Sequence, residues 1–310
     1  MAPRSQLPSP GQRTRLDDTA TWRPHLLAIL ERHGLKRFSD TVEAGENPTY
    51  PTFLCGDVVV KLFGGHPAWR SAYGAEREAL TLLAADPSLM VPRPLAHGWV
   101  VEGDDAAWPY LVMTRIPGES WSRGRPTGEQ RNGLAEALGR QIGRLHRLAW
   151  STGVATDAGW SELDIVDGAR RSSLPERLLP QIDGFLDRLD PFDRVFLHGD
   201  IVEMHVFLED DGLSGIIDWG DAMVADRHAE LIKVADLFDF NRALLRIFLE
   251  ASEWPITERF AQQAMGLALI RQAQLLAQHH SSDAFHKLPH LLPLERIRTL
   301  EELADAVFAV

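Results

Sequence analysis

A short stretch in the second half of the chain brings together two carboxylates and two imidazoles: His198-Gly199-Asp200, then His205, then Ile216-Ile217-Asp218-Trp219. Phosphoryl transfer asks for such a set. One carboxylate accepts or orients the proton of the attacking hydroxyl, and other ligands hold magnesium on the nucleotide phosphates. Asp200 suits the first role and Asp218 the second, with Glu203 and His205 close by in sequence.

These side chains need a scaffold that doubles back. Val206-Phe207-Leu208 and Leu213 to Ile217 are apolar runs of strand length around Glu209-Asp210-Asp211-Gly212, and Asp-Gly is a strong hairpin signal. With Asp211-Gly212 as the turn, Asp210 pairs with Leu213 and counting outward sets His205 opposite Asp218. A turn one residue away would move that pairing.

Upstream, Thr52-Phe53-Leu54 and Val58-Val59-Val60 read as strands turning at Gly56-Asp57, and the second ends at Lys61. Only four of the 32 basic residues are lysines, so this one stands out, and a flexible point charge suits phosphate. Gly45-Glu46-Asn47-Pro48-Thr49 is a loop in which Gly45 could allow backbone to cover phosphates. Ala72 to Ala84 has helical spacing, with Ala75, Ala79, Leu82 and Leu83 on one stripe and Glu76 and Glu78 flanking it. Periodicity does not choose between the two acids.

Val91-Pro92-Arg93-Pro94 favours extended backbone. Trp108 to Thr114 then reads as a buried strand that Ile116-Pro117-Gly118 breaks, where a linker between two lobes would fall. Leu134, Leu138, Ile142 and Leu145 predict an amphipathic helix ending near a structural His146, and Ala229 to Ala277 is helix-rich with a break at Trp254-Pro255. His279, His280 and His286 lack the spacing of a defined metal site.

Composition narrows the partners. The chain has 310 residues, 45% hydrophobic and 25% charged, enough for a sizeable core and two lobes. A formal net charge of -12 argues against nucleic acid and favours a cationic ligand such as a polyamine or amino sugar. The acids concentrate between Asp200 and Glu250, twelve against four basic residues, and Glu203, Asp221, Asp226 and Glu230 are the candidates to meet that ligand. No apolar run is long enough to span a membrane, and the first residues lack a signal-peptide core. The lone Cys55 fits a reducing compartment. A cytoplasmic monomer is expected.

The order of strand lysine, helix glutamate, Pro-rich connector, hinge strand, Leu145-His146, His198-Gly199-Asp200 and Ile217-Asp218-Trp219 resembles the aminoglycoside phosphotransferase family, relatives of protein kinases, from about residue 25 to 290. Val60-Lys61-Leu62-Phe63-Gly64, Tyr110 to Arg115 and Gly143-Arg144-Leu145-His146-Arg147 look most like hygromycin B phosphotransferases within it. The resemblance implies an α+β, bilobal protein-kinase-like fold: a flexible lead over residues 1–20, a small mixed-sheet N-lobe over 21–115 and a mainly helical C-lobe over 116–310, with the active site between them. It also implies ATP or GTP as donor, Mg2+ with Mn2+ possible, and an aminoglycoside hydroxyl as acceptor. Lys61 would contact the α and β phosphates, Glu78 would orient it, and Gly45 would lie over the phosphates. The Thr114 carbonyl and Ile116 amide would meet the adenine edge, Asp200 would serve the hydroxyl, and Asp218 would hold magnesium.

His205 departs from the family, which carries Asn five residues after the catalytic Asp. Magnesium prefers hard oxygen ligands, so an imidazole there weakens such a site. His205 could ligate a second metal directly, act through water, or bond Asp200 and fix the loop, while Glu203 could supply the missing oxygen. A kinase of another small hydroxylated metabolite and a nucleotide-binding pseudokinase therefore stay open beside the antibiotic kinase.

Overall fold

The computed structural model describes residues 17–38, 40–46, 49–100, 108–150, 153–210, 212–278 and 283–310. His279, His280, the Asn47-Pro48 part of the Gly45 loop and most of the expected lead lie outside the described residues. The chain divides into two compact units, one of residues up to Pro117 together with Gly215–Asp221, the other of Gly118–Ser214 and Ala222–Val310. A linear cut at residue 115 misses the return of Gly215–Asp221, which carries Asp218 into the first unit.

In the first unit, Asp18 caps helix α1 (Thr19–Arg32) by accepting from the amides of Ala20 and Thr21. Trp22, Leu26, Ile29 and Leu30 recur at helical spacing and form one buried stripe. They pack on a sheet made of β1 (Glu43–Ala44), β2 (Thr52–Cys55), β3 (Val58–Leu62), then, after helix α2 (Trp69–Leu83), β4 (Pro94–Trp99) and β5 (Pro109–Thr114). The strand order is β1-β2-β3-β5-β4. All of these pairings are antiparallel, where a mixed sheet was expected. β3 and β4, joined through α2, run parallel to each other, but β5 lies between them.

Alternation along β3 places the key lysine. Val58, Val60 and Leu62 belong to the core under α1, so Lys61 projects from the opposite face of the sheet.

The second unit opens with β6 (Glu119–Ser120), α3 (Trp121–Gly124) and the long α4 (Gly128–His146), whose buried Leu134, Leu138, Ile142 and Leu145 are the stripe expected from spacing. After α5 (Ile165–Arg170) and α6 (Ile182–Leu186), β7 (Arg194–Leu197) leads into His198-Gly199-Asp200, and β8 (Val206–Glu209) follows. β9 (Gly212–Ile216) completes a three-stranded sheet of order β6-β8-β9, and β10 (Met223–Asp226) pairs antiparallel with β7. Helices α7 (Leu231–Leu237), α8 (Arg242–Ala251), α9 (Phe260–Ala277), α10 (Leu288–Leu291) and α11 (Leu300–Phe308) make up the rest. α9 is buried along nearly all its length, and its Leu267 and Ile270 share a core with Val195 and Leu197 of β7 and Met223 and Ala225 of β10. The strand that delivers Asp200 therefore rests on a central helix.

The hairpin turn differs from the sequence expectation, and Asp211 lies outside the described residues. Gly212 belongs to β9 rather than to the turn, and the strands stop at Val206 and Ile216. His205 and Asp218 both lie outside the strands. His205 lies instead in a turn, its amide donating to the Val202 carbonyl at 2.9 Å.

Candidate active site

Lys61 is buried in the first unit and holds two carboxylates. Its Nζ donates to Glu76 Oε2 at 2.6 Å and to Asp218 Oδ1 at 2.9 Å. Burial alone would lower the lysine pKa, but Asp218 and Glu76 outweigh it and raise the pKa, so the ammonium persists. The rings of Tyr50 and Phe63 lie 5.8 and 5.3 Å from Nζ, within cation–π range.

Glu76, and not Glu78, partners Lys61. The buried stripe of α2 is Tyr73, Glu76, Ala79, Leu80 and Leu83, one position round from the alanine-weighted stripe expected from sequence. Glu78 pairs instead with Arg77 at the surface, at 2.7 Å. The large Tyr73 and Leu80, three residues before and four after, were the signal that favoured Glu76.

Asp218 sits just past β9 in a left-handed conformation, φ 65°, which a non-glycine residue adopts only when its surroundings enforce it. The surroundings do so on both sides. The Ile216 amide donates to the Met90 carbonyl at 2.9 Å, and the buried Trp219 indole donates to the Ile216 carbonyl at 3.1 Å. With its side chain 41% exposed, Asp218 presents its carboxylate toward solvent while Lys61 holds one oxygen.

The other expected nucleotide contacts also fall in the first unit. Thr114 ends β5, its amide donating to the Arg93 carbonyl and its Oγ1 accepting from the Arg93 amide, and Arg115 donates to the Asp57 carbonyl. Ile116 is buried against Gly215, where any Cβ would fall within 2.8 Å of the Ile116 side chain. The Gly45 amide donates to the Thr52 carbonyl at 2.7 Å.

In the second unit a buried cradle supports Asp200. Glu230 Oε2 accepts from the His198 amide and Oε1 from the Gly199 amide, both at 3.0 Å, while Arg271 donates to the Gly199 carbonyl at 2.6 Å. Gly199 has φ 84°, a turn that favours glycine. The Asp200 amide donates to His198 Nδ1 at 3.1 Å, which places the His198 ring proton on Nε2.

Two groups fix Asp200 itself. Lys233 Nζ lies 3.0 Å from Oδ1, and His205 Nδ1 lies 2.9 Å from the Asp200 carbonyl and 3.4 Å from Oδ2. Burial pushes the Asp200 carboxyl up, but Lys233 and His205 outweigh it and hold it below the usual carboxylate range. A carbonyl only accepts, so His205 Nδ1 carries a proton and the imidazole lone pair of the neutral ring is on Nε2.

Two expected ligand-binding acids are structural. Asp226 is buried and accepts from the amides of Asp193 and His228, from His228 Nδ1 and from Gln263. Glu230 is fully buried under the Asp200 loop. Their oxygens are taken up by backbone amides, which sequence shows as acidity and not as burial. Asp221 is half-buried in the first unit, and Glu203 is half-buried in the second, its carboxylate 3.9 Å from Lys287. Lys233, Asp236, Asp283 and His286, with Ile232 and Ala284, line a cavity of about 290 Å³ in the second unit.

Among the described residues no three His, Cys, Asp or Glu side chains gather as a complete metal site. Magnesium does not need such a cage, because it takes one or two carboxylates and completes its shell with water and phosphate oxygens. Asp218 fits that use.

The chain matches the phosphotransferase enzyme family over residues 46–264. Among solved structures, macrolide 2'-phosphotransferase MphH from Brachybacterium faecium is similar, with TM-score 0.61 and 18% identity over 93% of this chain and 98% of that one. An APH(2") enzyme solved with GDP and kanamycin has TM-score 0.60 and 15% identity over 82% and 91% of the two chains. An aminoglycoside-3'-phosphotransferase of type VIII has TM-score 0.50 and 25% identity over 76% and 91%.

Proposed function

The chain belongs to the phosphotransferase enzyme family, and from that premise we propose that it transfers the γ-phosphoryl group of ATP or GTP to a hydroxyl of an aminoglycoside, of the hygromycin B type, and so inactivates the antibiotic. The observation that carries the proposal is the Asp200 carboxylate, ionised, largely buried and clamped on a buried cradle, beside a cavity that shares Lys233 with it.

The acceptor oxygen forms a bond to the γ-phosphorus while the bond from that phosphorus to the bridging oxygen breaks. The bridging electron pair leaves with the nucleoside diphosphate, and the hydroxyl proton passes to Asp200. Because the transition state is loose, an acceptor of ordinary carboxylate strength is enough.

Lys61 meets the α and β phosphates and Glu76 orients it. Lys61, Glu76 and Asp218 together carry a net charge of -1, so polyanionic phosphates need a further cation. Asp218 would hold magnesium, which when bound would supply that charge to the phosphates. Gly45, the Thr114 carbonyl and the Ile116 amide meet the rest of the nucleotide. His205 fixes the Asp200 loop through Nδ1, and an imidazole there would suit manganese better than magnesium as a second metal. Glu203, Asp221 and the acids around the cavity favour a cationic acceptor, as does the net charge of -12.

The test is product mass. Incubation with ATP or GTP, magnesium or manganese, and a panel of aminoglycosides is expected to add one phosphate to at least one drug. No such gain on any member would overturn the assignment of an antibiotic acceptor.

A further inference from the structure

We propose that Lys233 is a positioning residue for Asp200, holding Oδ1 so that Oδ2 is the oxygen offered to the acceptor hydroxyl; this rests on the phosphotransfer reading above. Lys233 Nζ is 3.0 Å from Asp200 Oδ1, and the two side chains are 15% and 22% exposed. A carboxylate on a single χ2 bond can rotate, and pinning one oxygen defines where the other lies. His205 leaves Oδ2 to the hydroxyl, since its Nδ1–H is nearer the Asp200 carbonyl, 2.9 Å against 3.4 Å to Oδ2.

The same helical turn supplies both parts of the clamp. Glu230, at the start of α7, braces the main chain at His198 and Gly199, and Lys233 follows three residues later on the same face and reaches the side chain. Lys233 also lines the cavity of about 290 Å³ with Asp236 and His286, so its ammonium borders both that cavity and the Asp200 carboxylate.

The residue type is informative. The chain uses arginine for nearly all of its 32 basic residues and keeps only four lysines. A guanidinium would fork across both oxygens of Asp200, leaving none for the hydroxyl, whereas an ammonium is a point charge that takes one. The proton released by the hydroxyl goes to Asp200.

Lys233→Met, assayed with the purified full chain, is expected to lower kcat by roughly tenfold to a hundredfold, the scale of a misplaced catalytic group. The KM values for nucleotide and acceptor should change less than about twofold, a split that general loss of structure would not give. Lys233→Arg keeps the charge and is expected to remain at least about fivefold below the wild type in kcat, because it covers both oxygens. Wild-type kcat in either variant, or loss confined to KM, would overturn the inference while leaving the phosphotransfer reading intact. Absence of phosphoryl transfer by the wild-type protein would overturn that reading, and this inference with it.

Discussion

Lys61 sets one positive charge against two carboxylates, Glu76 at 2.6 Å and Asp218 at 2.9 Å. Of the two carboxylates, Glu76 is the buried one. Glu76→Gln should weaken the hold on Lys61 and reduce kcat/KM for nucleotide by about tenfold or more, roughly 1.4 kcal/mol of transition-state stabilisation. Glu78→Gln touches a surface pair with Arg77 and should stay within about 0.5 kcal/mol of wild type. Steady-state kinetics of the two variants decide between them, and the reverse ranking would restore Glu78. The sequence could show Lys61, Asp200 and Asp218 because their spacing is tied to strand ends. It could not separate Glu76 from Glu78, because an alanine-rich helix defines its apolar stripe only to within one position.

Elements decide which acids are available for binding. The loop after β7 exposes the amides of His198 and Gly199, and Glu230 at the head of α7 accepts both. Burial pushes the Glu230 carboxyl up to about 7, against the pull of those two amides and of Arg271. The folded state therefore binds a proton that the unfolded state, with a carboxyl near 4.5, releases. Its contribution to stability is present below about pH 4.5 and is lost as pH rises through about 7, amounting to roughly 3 kcal/mol. His146, pushed down to about 3 by burial, acts in the opposite sense, contributing above its ordinary value of 6.5 and losing this as pH falls. The useful quantity is thus the difference between Glu230→Gln and wild type in urea unfolding at pH 5 and pH 8. The variant should lose more stability relative to wild type at pH 5 than at pH 8, and an equal loss at both would contradict the assignment. None of this was legible from the run of acids between Asp200 and Glu250. The hairpin was legible as a hairpin, but its register depended on whether Gly212 closed the turn or opened the strand.

At the scale of the whole molecule, the fold is the kinase-like α+β architecture that the order of motifs implied, and it is shared with phosphotransferases of 15–25% identity. Each unit carries a distinct set of the candidate residues. The first holds Lys61, Glu76 and Asp218, and the second holds Asp200 with Lys233 and His205. If the division of labour is as proposed, nucleotide binding and phosphoryl transfer should separate in one substitution. The most direct measurement is transfer by Asp200→Ala, followed as phosphate on the aminoglycoside, with nucleotide Kd measured on the same sample. The account predicts that transfer falls by at least about a hundredfold while the nucleotide Kd stays within about threefold. Retention of most of the wild-type transfer rate by this variant would contradict it.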